Sequence, residues 1–323
     1  MKKTFVLVAL LFAALTGRAC DQCGCGLLLG VQPYDHANNF GLQWHMRYLH
    51  GDLMNPEPSS VEKMLKHGIA AAAESGPVAA SSTYTEVYSV LEARAQFWFG
   101  QRFSLTGSVP LLNNFQAVDN IRHADVYAVG DPILLARYAI LGSVSGPDTT
   151  RLRHRFTLGL GVKVPLGRHD VSQYGETLEP DLQPSTGTWD ELVSVEYTLR
   201  AKQWGTSLSL VGRYNGTSDE GFQLGHAASF TAEVFRVIPF KAVKLLPSVG
   251  GYVESALPDV DHGAADKTTG GSTIFSDLGV RLWWNALGFS FTWEHALVND
   301  LGSLMVPNRE RFVAGVTYNI DRD

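Results

Sequence analysis

All three cysteines of the chain lie within residues 20–25, in the order C-x-x-C-x-C. This spacing brings two or three thiolates within reach of one soft ion such as Cu(I) or Zn(II). A disulfide is the competing fate in an oxidising compartment, and Cys20 with Cys23 is the expected pair because a Cys-x-Cys bridge is strained. A lipid anchor on Cys20 is a third alternative. The sequence therefore predicts a candidate metal site at Cys20, Cys23 and Cys25, and copper or zinc is the one cofactor it suggests.

The residues before this cluster have the pattern of a secretory leader. Two lysines are followed by an apolar run over 4–15, which is too short to span about 30 Å of hydrocarbon. Gly17 and Ala19 are small residues where a signal peptidase reads, so we predict a signal peptide over 1–19. Its removal takes away three positive charges and no acid, which changes the net charge from −6 to −9. An acidic mature chain argues against a nucleic-acid partner.

The dominant signal beyond the leader is period-two alternation of apolar and polar residues. Around 155–164, for example, Phe156, Leu158 and Leu160 lie on one face, and small or charged residues lie on the other. No uninterrupted apolar stretch of 18 residues follows the leader, so a membrane-spanning chain must cross with strands. Twelve alternating segments are predicted, at about 39–50, 84–99, 102–111, 130–142, 152–165, 189–201, 204–215, 222–238, 243–255, 273–285, 287–297 and 309–320.

The connections between these segments alternate in length. The longer set is 51–83, 112–129, 166–188, 216–221, 256–272 and 298–308, and the shorter set is 100–101, 143–151, 202–203, 239–242 and 286. Outer-membrane barrels have short periplasmic turns and longer outer loops. The sequence therefore predicts an all-β chain, with a Cys-containing periplasmic segment over 20–38 and a transmembrane antiparallel β-barrel of about twelve strands over 39–323. The predicted location is the bacterial outer membrane.

Two smaller predictions concern the ends of the strands. The aromatic groups at 97–99 and at 283–284 are expected to form girdles at the membrane interface. In the first long connection, apolar residues over 60–73 recur at near-helical spacing, which favours a short helix.

The polar faces of the segments carry charges of both signs. Mixed signs are compatible with a water-filled pore or with a plug of salt bridges, because buried charges must be paired or hydrated. A wall of a single sign would have predicted ion preference instead. The predicted lumen-lining residues are His45, Arg47, Glu92, Arg94, Arg137, Lys163, Glu196, Arg200, Arg213, Asp277, Arg281 and Glu294.

Three turn motifs in the middle of the chain suggest a family. They are Gly-Asp-Pro at 130–132, Lys-Val-Pro-Leu-Gly at 163–167 and Gln-Pro-Ser-Thr-Gly at 183–187. Their order resembles the outer-membrane transporter family named for a phenol-degradation pathway, although Ser185 stands where that family often has glycine. The match covers roughly 130–200, and it implies a barrel that serves as a channel rather than any particular substrate. The residues of these motifs are those expected at turns, since glycine and proline end strands and favour turn conformations.

No catalytic motif is evident in the sequence. His226 and Ser229 are close together, but a separation of three residues on a strand places them on opposite faces. We therefore predict a non-enzymatic channel or transporter-like barrel that passes or binds a small solute, with outer-membrane lipid as its surroundings. The first alternative is a closed structural or binding barrel. The second is a barrel enzyme that acts on lipid, which would require a catalytic cluster facing the membrane.

Overall fold

The computed structural model describes residues 37–53, 82–142 and 152–320. These residues form twelve antiparallel barrel strands, numbered β1 to β12. The strands are β1 Asn38–Asp52, β2 Thr83–Phe99, β3 Phe103–Val118, β4 in two parts (Ile121–Val129 and Ile133–Leu141), β5 Leu152–Lys163, β6 Asp190–Ala201, β7 Trp204–Tyr214, β8 Ala227–Arg236, β9 Val243–Ala256, β10 Gly271–Trp284, β11 Leu287–Leu301 and β12 Asn308–Ile320. No helix among the described residues is long and apolar enough to cross a membrane.

The sheet closes on itself. β12 pairs with β1 in antiparallel register from Asn38 opposite Ile320 to Leu49 opposite Asn308. Among the described residues, each of the other strands pairs with its neighbours in the sequence, although the first part of β4 pairs with β3 alone, as a hairpin. The barrel wall below that hairpin therefore leaves no open edge for lipid to meet. The predicted fold class, a transmembrane antiparallel barrel of about twelve strands, is confirmed.

Alternation along the strands separates a lipid face from a lumen face. In β5, Leu158 and Leu160 are exposed on the outer surface, whereas Thr157 and Lys163 are buried inside. The outward residues form an apolar belt, as expected for the lipid-facing wall of a barrel. Its exposed members include Leu42, Leu91, Leu111, Leu134, Leu208, Val234, Val249, Leu278, Phe291 and Val316.

The aromatic girdles are only partly as predicted. Phe97, Phe99 and Trp284 are exposed on the outer surface near the short turns. Trp283 is buried and packs with Phe235 and Leu246 in a cluster. Consecutive residues of a strand point to opposite faces, so a run of adjacent aromatics cannot all lie in one girdle.

The predicted outer loop at 112–129 is wrong. β3 continues to Val118, and the first part of β4 pairs back along it from Ile121 to Val129. Asp119 and Asn120 make the turn between them, with φ values of 51° and 65°. Asn and Asp tolerate this left-handed conformation, which tight hairpins require. Most residues of the predicted connection therefore belong to a hairpin.

Two other outer connections also contain short strands. Residues 164–189 hold the hairpin Ser172–Gln173 with Glu176–Thr177, followed by a 3-10 turn at Pro180–Leu182. Phe222–Gln223, predicted to begin a barrel strand, pairs instead with the hairpin Asp259–Asp261 and Ala264–Asp266. The predicted leader, the cysteine segment up to residue 36 and the predicted helix within 60–73 lie outside the described residues.

An arginine at the middle of the lipid face should destabilise the barrel strongly. Val249 lies at the centre of β9 and is 56% exposed on the apolar belt. Val249→Arg should lower the free energy of unfolding by about 2–4 kcal/mol, because the charge must enter hydrocarbon. Leu166→Arg, at a loop position that is 72% exposed, should change it by less than about 0.5 kcal/mol. Urea unfolding in lipid vesicles measures both, and equal losses would contradict the assignment of the belt to lipid.

The hairpin at 259–266 should loosen as the pH rises. Asp259 is buried and accepts a hydrogen bond from the Gly225 amide at 2.7 Å. Burial, together with the nearby Asp266, raises the pKa of Asp259 to about 6. A raised carboxyl pKa means that stability is complete below the usual pKa of 3.8 and is lost as the pH rises through about 6.

Hydrogen exchange of this hairpin, corrected for intrinsic rates, is the appropriate measurement. Protection should fall between about pH 4 and pH 6 in the wild type. Asp259→Asn keeps an acceptor for Gly225 and removes the titration, so its corrected protection should be flat over the same range. Identical profiles for the two proteins would show that Asp259 does not control the hairpin.

Candidate functional site

A cavity of about 180 Å³ lies inside the barrel. One side is an apolar wall made by inward-facing residues of β2, β3 and β4, namely Val90, Pro110, Leu112 and Ile133. The rest of the lining includes His45 and the charged residues Arg47, Glu92, Asp131, Lys163, Arg213 and Arg311. We call this space the chamber. Of the twelve predicted lumen residues, His45, Arg47, Glu92, Lys163 and Arg213 line it.

The outer connection 164–189 contributes to the lining of the chamber. Pro184, Ser185 and Thr186 line the cavity. The preceding 3-10 turn anchors them, because Leu182 is only 2% exposed in a cluster with Leu49, Tyr84 and other inward residues. The Leu182 carbonyl also accepts a hydrogen bond from Asn114 Nδ2 at 3.1 Å. The connection is therefore folded against the inner wall near the outer ends of the strands.

The three turn motifs meet in one buried ion-pair network. Lys163 Nζ lies 2.9 Å from Asp131 Oδ2 and 2.9 Å from Asp190 Oδ2, and it also donates to the Thr186 hydroxyl. Asp131 accepts from the Gly167 amide at 2.9 Å and from Ser185 Oγ at 2.8 Å. The motifs are thus more than turn formers, since their polar atoms hold the connection 164–189 to the wall.

Arg213 extends this network to the next strand. Its Nε lies 3.5 Å from Asp190 Oδ2 and donates to Asn215 Oδ1 at 2.6 Å. Asp190 also accepts from Thr188 Oγ1 at 2.8 Å and from the Gly216 amide at 3.1 Å. Two cations and two carboxylates therefore balance in charge, which lets them remain buried.

A second network lies around Glu254, which is fully buried. Arg47 pairs with Glu254 and donates from Nε to Asn308 Oδ1 at 2.6 Å. Arg311 lies 3.4 Å from Glu254 and 3.2 Å from Glu294, with its guanidinium 4.5 Å from the centre of the Tyr252 ring. This network joins β1, β9, β11 and β12 across the lumen face.

The remaining predicted lumen residues form smaller pairs on the inner wall. Arg94 lies 2.7 Å from Glu92, and His45 Nε2 lies 3.5 Å from the same carboxylate. The other two pairs are Arg137 with Glu196 at 3.0 Å and Arg281 with Glu233 at 3.1 Å.

Asp277 and Arg200 have other surroundings. Asp277 is buried and faces Glu294 across the β10–β11 ladder, so two carboxylates are in register there. Arg200 lies at the short-turn end of β6 and donates to the Lys202 carbonyl at 3.1 Å. Arg200 therefore contacts the turn at the end of the barrel rather than the chamber.

Several residues of the chamber and its networks were not among the predicted site residues. Arg311 alternates with Phe312 and Ala314, so the period-two pattern alone could have identified it. Asp131, Asp190 and Glu254 also lie on polar faces, but their importance depends on which cations they meet. The part played by Ser185 and Thr186 follows from the inward fold of a connection, which alternation does not reveal.

The predicted metal ligands Cys20, Cys23 and Cys25 lie outside the described residues, so the metal site stays a prediction. Within the described ranges, no group of three or more His, Cys, Asp or Glu residues is arranged to hold a metal ion. The chamber itself presents charges of both signs next to an apolar wall, which suits a small molecule with an apolar body and a polar end.

No protein-family model and no curated protein matches the chain. Among solved structures, the chain is similar to an outer membrane channel from Pseudomonas putida F1, with 12% identity, a TM-score of 0.58 and coverage of 90% of this chain and 100% of that one. It is also similar to the β domain of the Bordetella autotransporter BrkA, with 12% identity, a TM-score of 0.48 and coverage of 88% and 100%. A third is the translocator domain of the autotransporter NalP from Neisseria meningitidis, with 11% identity, a TM-score of 0.38 and coverage of 99% and 98%.

These similarities concern the fold. The chain has the architecture of a bacterial outer-membrane barrel, and its closed sheet and apolar belt agree with the predicted location. The Pseudomonas structure is described as an outer membrane channel, and at 12% identity it shares the barrel fold with this chain. Membership of the family named for phenol degradation stays a prediction.

Proposed function

We propose that this protein is an outer-membrane channel that binds a small solute in the chamber on its way across the membrane. The chamber is the observation that carries this proposal. Small-molecule sites are concave and mostly apolar with a few fixed polar groups, and the lining of the chamber combines apolar and charged residues in this way. The similarity in fold to a solved outer membrane channel is consistent with it.

The lining favours a solute with an apolar body and one polar or charged end. Val90, Pro110, Leu112 and Ile133 offer the apolar surface, while the fixed ion pairs offer donors and acceptors. Because Lys163 and Arg213 already have carboxylate partners, the solute gains a hydrogen-bonding surface without facing a bare charge. Weak binding of this kind allows a solute to enter and also to leave.

Single-channel conductance of the refolded protein in a planar bilayer tests the proposal. Small, stable current steps are expected from the wild type, and benzoate, a probe with a ring and one charge, should reduce the current more than glucose. Leu112→Trp should lower the step size because the indole fills the chamber. Leu111→Trp is the matched control. Leu111 is the next residue on the same strand, and its side chain is exposed on the lipid face, so this substitution should leave the current unchanged.

The closed structural or binding barrel is the alternative. A wild-type barrel that migrates as a folded, heat-modifiable band but gives no current steps would favour that alternative and contradict the channel. Equal effects of the two tryptophan variants would also contradict the channel proposal, because the current would then not pass through the chamber.

Metal capture by the cysteine segment is a finer proposal, and it depends only on the spacing of Cys20, Cys23 and Cys25. Zn(II), or Cu(I) under reducing conditions, should reduce the current of the wild type. A variant with all three cysteines replaced by serine should lose this response. A wild-type current that ignores both ions would reject metal-dependent control of the channel.

A further inference from the structure

A serine, a histidine and a glutamate form a row on the lipid-facing side of three neighbouring strands. Ser276 of β10 lies directly opposite His295 of β11, and His295 lies directly opposite Glu310 of β12. All three alternate with buried, inward-facing residues, namely Asp277, Glu294 and Arg311. The row therefore lies on the outer surface and is separate from the chamber.

The histidine and the glutamate are already arranged as a base and its orienting acid. His295 Nδ1 lies 2.7 Å from Glu310 Oε1, and Trp293 Nε1 donates to Glu310 Oε2 at 2.6 Å. With both carboxylate oxygens engaged, Glu310 is fixed in position. An imidazole that donates from Nδ1 to a carboxylate has Nε2 available as a base. The His295 side chain is 47% exposed, so a ligand has access to it.

The serine is the cross-strand neighbour of that base. Side chains directly opposite each other in an antiparallel ladder have Cβ atoms about 4.5–5.5 Å apart. In the structure, Ser276 Oγ donates to the His295 carbonyl oxygen over a long distance of 3.4 Å. Rotation about the Ser276 side-chain bond would turn Oγ away from this carbonyl and toward the imidazole, and the hydrolytic role proposed below requires that rotation.

The surroundings suit the acyl chains of a lipid. A β-bulge beside Ser276 leaves Leu297 without a partner in register, and bulges often re-aim side chains next to active sites. Leu297, Val298, Ile274 and Leu278 are exposed around the row. Tryptophan and tyrosine mark the headgroup level of a membrane, and Trp293 lies two residues from His295 on the same outward face. Ester bonds of membrane lipids lie near this level.

We propose that Ser276, His295 and Glu310 form a lipid-facing hydrolytic site that cleaves acyl esters of membrane lipids. Ser276 Oγ attacks the ester carbonyl carbon and passes its proton to His295. The C–O bond to the lipid alcohol breaks, and His295 returns the proton to the departing alkoxide. Water then attacks the acyl-serine ester, giving a free fatty acid and restoring the serine. Glu310 acts as a positioning residue that orients the imidazole and stabilises its charged form.

This proposal revives the sequence-based alternative of a barrel enzyme acting on lipid. His226 and Ser229, the pair that is close together in the sequence, do not share the outer face. Ser229 is buried on the lumen side, and His226 accepts from the Asn215 amide at 3.1 Å. The present row is made of residues from three strands, and only the register brings them together.

The test uses the refolded full-length barrel in mixed micelles, with its folding verified by heat-modifiable migration. Two probes are used: a p-nitrophenyl ester of a medium-chain fatty acid, and a fluorophosphonate that labels activated serines. The wild type should hydrolyse the ester, and the label should be found on Ser276 by peptide mass spectrometry. Ser276→Ala should reduce hydrolysis to the uncatalysed background. Ser272→Ala is the control, because Ser272 shares the strand and pairs with Ser255 Oγ at 3.0 Å away from the row.

Kinetic measurements distinguish the roles of His295 and Glu310. His295→Asn should abolish both hydrolysis and labelling. Glu310→Gln should lower kcat by up to about 10⁴-fold with little change in KM, because it removes orientation rather than substrate contact. Hydrolysis that persists in Ser276→Ala, or a folded wild type that neither hydrolyses the ester nor carries the label, overturns the proposal. The single-channel current of Ser276→Ala should equal that of the wild type, so this result is independent of the channel proposal.

Discussion

Replacing Lys163 by methionine should destabilise the barrel by about 3–5 kcal/mol. The change leaves the side-chain volume similar but removes the cation that lies between Asp131 and Asp190, both of which are buried. One negative charge is then uncompensated inside the protein. Losing one partner of a buried ion pair is much more costly than the pair's net contribution, because the remaining charge stays desolvated. Urea unfolding in lipid vesicles, followed by tryptophan fluorescence, measures the loss.

A second substitution that restores charge balance should recover part of the stability lost in the methionine variant. In the wild type, Lys163 and Arg213 balance Asp131 and Asp190. Adding Asp131→Asn to the methionine variant restores neutrality, since Arg213 still pairs with Asp190. The asparagine oxygen can still accept from the Gly167 amide, which is 2.9 Å from Asp131 Oδ1. We therefore expect the double variant to recover at least half of the loss.

A surface ion pair provides the comparison for Lys163. Arg168 and Asp170 lie 3.2 Å apart in the same outer connection, with both side chains well exposed. Arg168→Met should cost less than about 1 kcal/mol, because water solvates the remaining aspartate. If this variant lost as much stability as the Lys163 variant, or if Asp131→Asn made the latter worse, the balanced-network account would be wrong.

The strands were predictable because their signal is local. Alternation in a single segment, such as Leu158 and Leu160 against Thr157 and Lys163, already states which side faces lipid and which faces the lumen. Closure needed one further argument, that a sheet in lipid cannot have an open edge. The pairing of β12 with β1 meets that requirement. Neither inference depends on knowing which residues of neighbouring strands lie opposite each other.

Contacts between strands were not predictable in the same way, because they depend on register. The partners Lys163 and Asp190 belong to opposite ends of the connection 164–189, and they meet since β5 and β6 pair with these two residues opposite each other. The row of Ser276, His295 and Glu310 likewise exists only because the turn at 285–286 and the connection at 302–307 set two registers. A shift of one residue in either register would turn one of its members toward the lumen.

The alternation of apolar and polar residues also could not predict that an outer connection folds into the barrel. Residues 164–189 contain glycine, proline and polar residues, which is the composition of an exposed loop. Leu182 holds the connection against the inner wall. Gln183 ties the connection to itself, because its Nε2 donates to the Val171 and Leu178 carbonyls at 3.0 and 2.9 Å. These side chains supply the partners that a turn inside a barrel would otherwise lack.

The connection 164–189 should control the current through the barrel, and Leu182→Asp is the variant that shows it. Leu182 is 2% exposed among Leu49, Tyr84 and Tyr88. Removing its burial costs at least about 2 kcal/mol, and a carboxylate in that cluster costs more. The equilibrium between the docked and undocked connection therefore shifts by a factor of roughly 30 or more. Current steps should become larger because residues 184–186 no longer line the chamber.

Leu166→Asp is the control for this experiment, because it adds the same charge to the same connection at an exposed position. Its current should match that of the wild type at the same ionic strength. The strands should stay folded in both variants, since the ladder hydrogen bonds do not involve Leu182, and heat-modifiable migration checks this. Larger steps in both variants would mean that the added charge, rather than undocking, changes the current. Unchanged steps in Leu182→Asp would mean that the narrowest part of the path lies below the chamber, where Phe235, Leu246 and Trp283 pack together on the inner wall.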